Sequence, residues 1–166
     1  ILLNAFATVM NVRCTLPFQI HKKATHQLTF LGFCFMLLET NRLIIECFKT
    51  NDISDWAKIE SDANVRRFID GKVLSLKEAG EYVELNIRQY QTHEYGRYAV
   101  RLKENRKLIG MCGFLNEPYG IDFGYRYSKE SWGKGLGFEA GKKVLEYGFS
   151  ELGLEKVFGL TAEQNY

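Results

Sequence analysis

The chain has 166 residues, of which 46% are hydrophobic and 25% charged, and it contains only two prolines. A chain of this length buries roughly two thirds of the surface that its unfolded form exposes, which is enough for one globular domain. The apolar and aromatic content excludes an intrinsically disordered protein. The 15 glycines follow no fixed period, which excludes collagen-like and simple repeat proteins.

The formal net charge of +2 is unevenly distributed along the chain. Residues 1–35 carry three basic side chains, Arg13, Lys22 and Lys23, and no acidic one. Since the whole chain has 22 basic and 20 acidic residues, the rest of it carries 19 basic side chains against 20 acidic ones. This nearly neutral part offers no basic surface for a polyanion, and we expect no nucleic-acid partner.

The four cysteines, at positions 14, 34, 47 and 112, are too widely spaced to form a CxxC pair. Their spacing supports neither a zinc site nor a thioredoxin-like motif, so no metal is expected. Buried free thiols in a reducing compartment are the simpler interpretation, and they favour a cytoplasmic protein.

An apolar run covers residues 28–38, directly before the first strongly patterned segment. A membrane span needs about 20 such residues, so we expect no membrane partner. A signal peptide is an alternative because two lysines precede the run, but no small-x-small cleavage site follows it. Met36 would make a natural start. Residues 1–35 are therefore interpreted as a leader outside the fold, and residues 36–166 as the folded domain.

Two helices are predicted in the first half of this domain. Asn51 or Asp52 can cap the first helix, which carries apolar residues at helical spacing. Ser75 begins the second, and Glu78 three residues later completes a capping box. A segment rich in β-forming residues, 43–48, precedes both helices and predicts a first strand.

Three strands joined by short turns follow the helices. Short connections of this kind favour an antiparallel meander. A glycine-rich loop then leads into a helix that ends at Gly153 and is followed by a last strand. The predicted bounds are 97–102, 107–115 and 121–127 for the meander, 133–137 for the loop and 156–161 for the last strand. This order predicts an α+β domain with a mixed, mostly antiparallel sheet flanked by helices.

The segment WGKGLG at 132–137 lies between a predicted strand and a predicted helix. A helix start presents unpaired amides and the positive end of the helix dipole, which together favour a pyrophosphate. The Walker pattern fails because no GK[ST] tripeptide occurs. The dinucleotide pattern GxGxxA is matched by Gly135, Gly137 and Ala140, but no apolar strand runs directly into its first glycine. A tight turn that needs positive φ is the structural alternative.

The same segment resembles the coenzyme A loop of the GNAT acetyltransferase superfamily, Q/R-x-x-G-x-G/A, with Trp132 in the first place. Tryptophan departs from that pattern, but the run GY…WGKG…EA is similar to the ribosomal-protein N-acetyltransferases, the RimJ/RimL-like branch. The segment ETNRL at 39–43 resembles the family's opening strand, and LTAEQN at 160–165 resembles the end of its fifth strand. The resemblance spans residues 36–166 and implies the GNAT acyl-CoA N-acyltransferase fold.

The resemblance implies acetyl-CoA as cosubstrate and direct attack by an amine in a ternary complex, without a covalent enzyme intermediate. The pantetheine arm is expected between the fourth and fifth strands of the family, where a backbone amide stabilises the oxyanion. The residues that the resemblance assigns to cosubstrate binding are Tyr125, Arg126, Tyr127, Trp132, Gly133, Lys134, Gly135, Leu136, Gly137 and Asn165.

Asp122 is the candidate catalytic base. It alternates with Ile121 and Phe123 on a predicted strand, so its side chain points to the opposite face from theirs. The family often has an acid at this place, which implies that Asp122 receives the proton of the acceptor amine. A solvated acid on the strand surface is the alternative.

The acceptor is expected to be a primary amine, first a protein N-terminal α-amine and alternatively a small-molecule amine. An α-amine of pKa 7.7–8.0 costs about 1.4 kcal/mol to deprotonate at pH 7, whereas a lysine amine costs about 4.6 kcal/mol, so a modest base suits the first. A non-catalytic acyl-CoA-binding module is a third hypothesis.

The resemblance also implies that the family continues past Tyr166 into a further helix and two strands. The chain is therefore expected to be truncated at its C-terminus and to lack the acid that protonates the leaving thiolate. An open sheet edge would then favour association, and a homodimer is one form that this could take.

Overall fold

A seven-stranded sheet runs through residues 7–13 and 36–162, the part of the chain that this computed structural model describes. The strands are β1 Ala7–Arg13, β2 Leu37–Glu39, β3 Leu43–Glu46, β4 Arg97–Leu102, β5 Leu108–Glu117, β6 Gly120–Tyr127 and β7 Lys156–Ala162. Their order across the sheet is β1-β7-β6-β5-β4-β3-β2. Every neighbouring pair is antiparallel except β6 and β7, which are parallel. The predicted α+β class with a mixed, mostly antiparallel sheet is confirmed.

Helices cover both faces of the sheet. They are α1 Ile53–Glu60, α2 Ala63–Arg66, α3 Leu76–His93 and α4 Leu136–Ser150. On one face, Trp56 of α1 and Val83 of α3 pack with Ala99 of β4 in one hydrophobic cluster. On the other face, Val144 of α4 packs with Tyr98 of β4 in a second cluster. Successive residues of β4 thus bury themselves on opposite faces, as the two-residue period of a strand requires.

The start of each early helix follows from its first residues, although by different means. Ser75 Oγ accepts the backbone N–H of Glu78, and the Glu78 carboxylate accepts the N–H of Ser75 at 2.8 Å, so the predicted capping box is confirmed. Asp52 does precede α1, but its side chain caps no helical amide. It accepts instead from the Lys49 N–H at 3.0 Å and from the Arg101 guanidinium.

The expectation that residues 1–35 lie outside the fold is wrong for residues 7–13. Strand β1 pairs with β7 over its whole length, from Ala7 opposite Ala162 to Arg13 opposite Lys156. The backbone of β7 on the side away from β6 needs hydrogen-bond partners, and a second β-forming segment supplies them. The basic charge of residues 1–35 and the position of Met36 suggested a leader, but neither contains information about strand pairing. The rest of the expected leader, residues 1–6 and 14–35, lies outside the described residues, and so does Asn165.

Two local features were also missed by the sequence argument. The short strand β2 forms a hairpin with β3, and the one-turn helix α2 follows α1 with the Asp62 side chain accepting the Asn64 N–H.

The expectation of free thiols holds for Cys112, which is buried, and burial raises the pKa of its thiol to about 12. The expectation is wrong for Cys47, which is disulfide-bonded. Within the described residues no helix has the length and apolarity needed to cross a membrane.

Candidate active site

Strands β6 and β7 meet at one point and then separate. Their parallel pairing consists of the single register pair Asp122 and Phe158. Towards the C-terminal end of both strands, residues 123–127 of β6 have no ladder partner on β7. We call the opening beside these residues the gap. Since a strand edge presents free N–H and C=O groups, the gap can accept an extended ligand as an additional strand.

The backbone direction of β6 determines which residues face the gap. Ser128 donates its N–H to the Ile109 carbonyl at 2.8 Å, so the backbone groups of Arg126, two residues earlier, also face β5. Tyr125 and Tyr127, which alternate with Arg126, turn their backbone groups towards the gap. The Tyr127 carbonyl confirms this direction, because it accepts from the Trp132 indole at 2.9 Å rather than from β5.

The glycine loop, residues 133–135, stands beside the gap and is shorter than the predicted range 133–137, because α4 already begins at Leu136. Gly133 and Gly135 have φ of +69° and +72°, and Gly135 is the N-cap of α4. A Cβ on Gly137 would lie 3.3 Å from the Tyr127 ring, so the start of α4 packs directly against the end of β6. The amides at the start of α4 therefore lie next to the gap, in a place where the helix dipole favours an anion.

The side chains of the predicted loop residues differ in what they can offer. Leu136, the first residue of α4, is buried in the core, so only its backbone is available to a ligand. Trp132 is half exposed while its indole nitrogen is occupied by Tyr127. Lys134 is exposed, and its carbonyl accepts from Arg42 at 2.9 Å. Tyr125 on β6 and Phe138 on the first turn of α4 expose large apolar surfaces on this side of the molecule.

Asp122 is buried rather than solvated. One carboxylate oxygen is ion-paired with the Arg97 guanidinium, which also donates to the Gly113 carbonyl at 2.8 Å. The other oxygen, Oδ1, has no hydrogen-bond partner among the described residues. Burial, and then the negative charge of Asp122, raise the pKa of nearby Tyr119 to about 12. Gly124 leaves room for this pair, since a Cβ there would lie 2.5 Å from Arg97 Nη1.

The structure does not bring the Arg126 side chain to the gap. Its guanidinium lies on the α1 and α3 face, 5.9 Å from the ring centres of Trp56 and Tyr82, and donates to Glu60 at 2.6 Å. The same carboxylate oxygen of Glu60 accepts from Arg66 at 2.7 Å, and Glu60 is fully buried. Two arginines from different parts of the chain therefore share one buried acid.

Sequence reasoning missed Glu60 and Arg97, although Glu60 left a readable signal. It lies four residues after Trp56, on the apolar face of α1, and a carboxylate in such a place needs a cationic partner. Arg97 begins a predicted strand and gave no comparable signal. No group of three or more potential metal ligands occurs within residues 7–13 and 36–162.

Comparisons with known proteins agree with this geometry. The family profile described as "Acetyltransferase (GNAT) domain" matches residues 42–166. N-acetyltransferase p20 of Bacillus licheniformis is 25% identical over 132 residues, covering 77% of this chain and 74% of that protein. N-acetyltransferase YoaA of Bacillus subtilis is 27% identical over 135 residues, covering 79% and 76%.

Solved structures share the fold. An acetyltransferase from Agrobacterium tumefaciens superposes with a TM-score of 0.72 at 18% identity, covering 80% of this chain and 78% of that one. The RimL ribosomal L7/L12 alpha-N-protein acetyltransferase in complex with coenzyme A superposes with a TM-score of 0.66 at 16% identity, covering 78% and 77%. The sheet, the gap and the family match lead to one conclusion: the chain belongs to the GNAT family and is an N-acetyltransferase.

Proposed function

We propose that this protein transfers the acetyl group of acetyl-CoA to a protein N-terminal α-amine by direct attack within a ternary complex. The observation that carries the proposal is the end of β6–β7 pairing at Asp122 and Phe158, next to the glycine loop. It supports a pantetheine arm that lies along β6 and hydrogen-bonds to the backbone of Tyr125 and Tyr127.

The chemistry of the gap fits an acyl transfer. The amine nitrogen forms a bond to the thioester carbonyl carbon, the C–S bond breaks, and the sulfur leaves as the coenzyme A thiolate. A β6 amide that faces the gap, that of Tyr125, is positioned by the strand to stabilise the developing oxyanion. The amides of Leu136 and Gly137 would hold the pyrophosphate, aided by the dipole of α4.

Asp122 is proposed to receive the proton that the acceptor ammonium loses. Its Oδ1 is buried and carries no hydrogen bond from any described residue, while Arg97 fixes the orientation of the carboxylate. A protein α-amine costs about 1.4 kcal/mol to deprotonate at pH 7, so a modest base such as a single carboxylate is sufficient. A lysine amine costs about 4.6 kcal/mol, so lysine side chains are expected to be poor acceptors.

The protein N-terminus is preferred over small amines on two grounds. The first is the deprotonation cost, since a small alkyl amine with a pKa like that of lysine costs about 4.6 kcal/mol instead of about 1.4 kcal/mol. The second is the fold shared with an alpha-N-protein acetyltransferase. A small-molecule amine is the alternative acceptor. A non-catalytic acyl-CoA-binding module is also to be tested, because Asp122 already holds an ionic partner in Arg97.

The experiment has two stages, run on the same preparation. A rise in melting temperature with acetyl-CoA identifies binding, and its absence would contradict the proposed function altogether. Release of free thiol is then followed with peptides of varied N-terminal residue, with the same peptides carrying a blocked N-terminus, and with polyamines and aminoglycosides. Turnover only with free N-termini supports the proposal. Turnover only with small amines, or binding without turnover, would replace it by one of the alternatives.

Replacing Gly135 with alanine tests the loop. Alanine in the left-handed conformation at φ +72° costs about 1–2 kcal/mol, and the strained loop no longer presents its amides correctly. We expect the Kd for coenzyme A, measured by calorimetry, to rise about tenfold or more. Gly153→Ala is the matched control, because Gly153 has φ +68° and open space but lies beyond the end of α4. An equal effect of both substitutions on the Kd would contradict a ligand-binding role of the loop.

A further inference from the structure

Arg42, in the turn between β2 and β3, connects that turn to the glycine loop and to α4. Its Nη1 donates to the Lys134 carbonyl at 2.9 Å, and its Nε donates to Glu139 at 2.6 Å. The Arg42 backbone N–H and the Thr40 hydroxyl donate to the other oxygen of Glu139, at 3.0 and 2.5 Å. One guanidinium therefore holds both a loop carbonyl and a first-turn carboxylate.

The contact with the Lys134 carbonyl fixes the direction of a loop amide. In a trans peptide the C=O and the following N–H point in opposite directions, and no described peptide is cis. Since the Lys134 carbonyl points towards Arg42, the N–H of Gly135 points away from Arg42. Without this anchor the peptide could rotate and present a carbonyl to an anion instead of an amide.

The contact between Arg42 and Glu139 removes an electrostatic repulsion at the start of α4. Glu139 lies in the first turn of α4, where its charge would repel an anion bound at the same helix start. Burial raises the pKa of Glu139, but hydrogen bonds from Thr40 and Arg42 outweigh burial, so the pKa is lowered and the side chain is ionised at neutral pH. The Arg42 guanidinium neutralises this carboxylate at 2.6 Å.

We propose that Arg42 is a positioning residue for phosphate recognition: it orients the glycine loop and cancels the charge of Glu139, without touching the cosubstrate. The proposal rests on the proposed binding of acetyl-CoA at this loop. It assigns a shared task to two segments that are 97 residues apart, the ETNRL turn and the WGKG…EA run.

The test compares two ligands that share the pantetheine arm, of which only one carries phosphate groups. Coenzyme A carries the pyrophosphate and the adenine nucleotide, and pantetheine carries neither. Binding of each is followed by intrinsic fluorescence, since the chain has two tryptophans and only Trp132, beside the loop, is exposed. The variants are Arg42→Ala, Arg42→Lys and the control Arg88→Ala, which removes an arginine of similar exposure from α3.

Arg42→Ala is expected to raise the Kd for coenzyme A about tenfold, as befits one lost charge-assisted contact, and to leave the Kd for pantetheine within about twofold. Arg42→Lys keeps the charge but not the two-pronged contact, so its effect should be intermediate. Arg88→Ala should change neither. Equal effects of Arg42→Ala on both ligands, or no effect on coenzyme A, would overturn the proposal while the proposed function stands. Failure of the unsubstituted protein to bind coenzyme A would instead overturn the proposed function.

Discussion

Glu60→Gln is expected to lower the free energy of unfolding by about 3–5 kcal/mol, the usual cost of removing one partner from a buried ionic cluster. Glutamine has the same shape and can still accept a hydrogen bond, but it carries no charge, so the largely buried Arg126 guanidinium loses its counter-ion and keeps only neutral contacts, among them those to the Trp56 and Tyr82 rings. Arg66 is less affected because it retains Asp70 at 2.5 Å. Burial lowers the pKa of Arg66, but Asp70 and Glu60 outweigh burial and raise it.

Urea denaturation measures this effect, with an unchanged m-value as the sign that the same surface is exposed on unfolding. Glu84→Gln is the matched control on α3, since its carboxylate is exposed and lies 3.9 Å from Arg88. That change should cost less than about 0.5 kcal/mol. In Glu60→Gln/Arg126→Met, the removal of both charges should recover part of the lost stability. A loss no larger in Glu60→Gln than in Glu84→Gln would mean that the cluster does not hold α1 and β6 together.

Local pattern was sufficient to predict much of the fold. The β4 bounds 97–102 were predicted to the residue, and β5 and β6 were predicted to within two, because turn residues flank each strand. The glycine loop was predicted between a strand and a helix, where the structure has it, but α4 begins at Leu136 and takes in the last two residues of the predicted range 133–137. Strand β1 was not predicted because its partner, β7, is more than 140 residues away along the chain. No local pattern encodes such a pairing.

The same reason explains which parts of the site could be predicted. Asp122 and the loop residues are candidates that spacing and the resemblance supply. Their partners could not be predicted, because each ion pair joins distant segments: Glu60 and Arg126 are 66 residues apart, and Arg97 and Asp122 are 25 apart. The sequence predicts which residues are unusual for their element, whereas the structure determines what satisfies them. Arg126 is an example: the resemblance assigns it to cosubstrate binding, and the structure shows that its guanidinium donates to buried Glu60.

Asp122→Asn is expected to lower kcat about 100-fold or more at neutral pH, the range in which a positioned general base contributes. The KM for acetyl-CoA should stay within about twofold, because the glycine loop and the β6 backbone are unchanged. The acidic limb of the pH profile of kcat should also move or disappear, since asparagine does not titrate. The loss of kcat should be smaller for acceptor amines of lower pKa, because a larger fraction of such an amine is already deprotonated.

The difficulty of this experiment is that Asp122 also neutralises buried Arg97. Asparagine leaves that guanidinium without its carboxylate, and the variant is expected to lose stability as well as activity. Kinetics are therefore measured well below the melting temperature, on protein whose circular dichroism matches the unsubstituted enzyme. Asp70→Asn is the matched control, because Asp70 also pairs with an arginine, Arg66, but is half exposed. If Asp122 only orients Arg97, the folded Asp122→Asn variant keeps the acidic limb of the kcat profile at its original pH. Another group must then accept the proton of the acceptor ammonium.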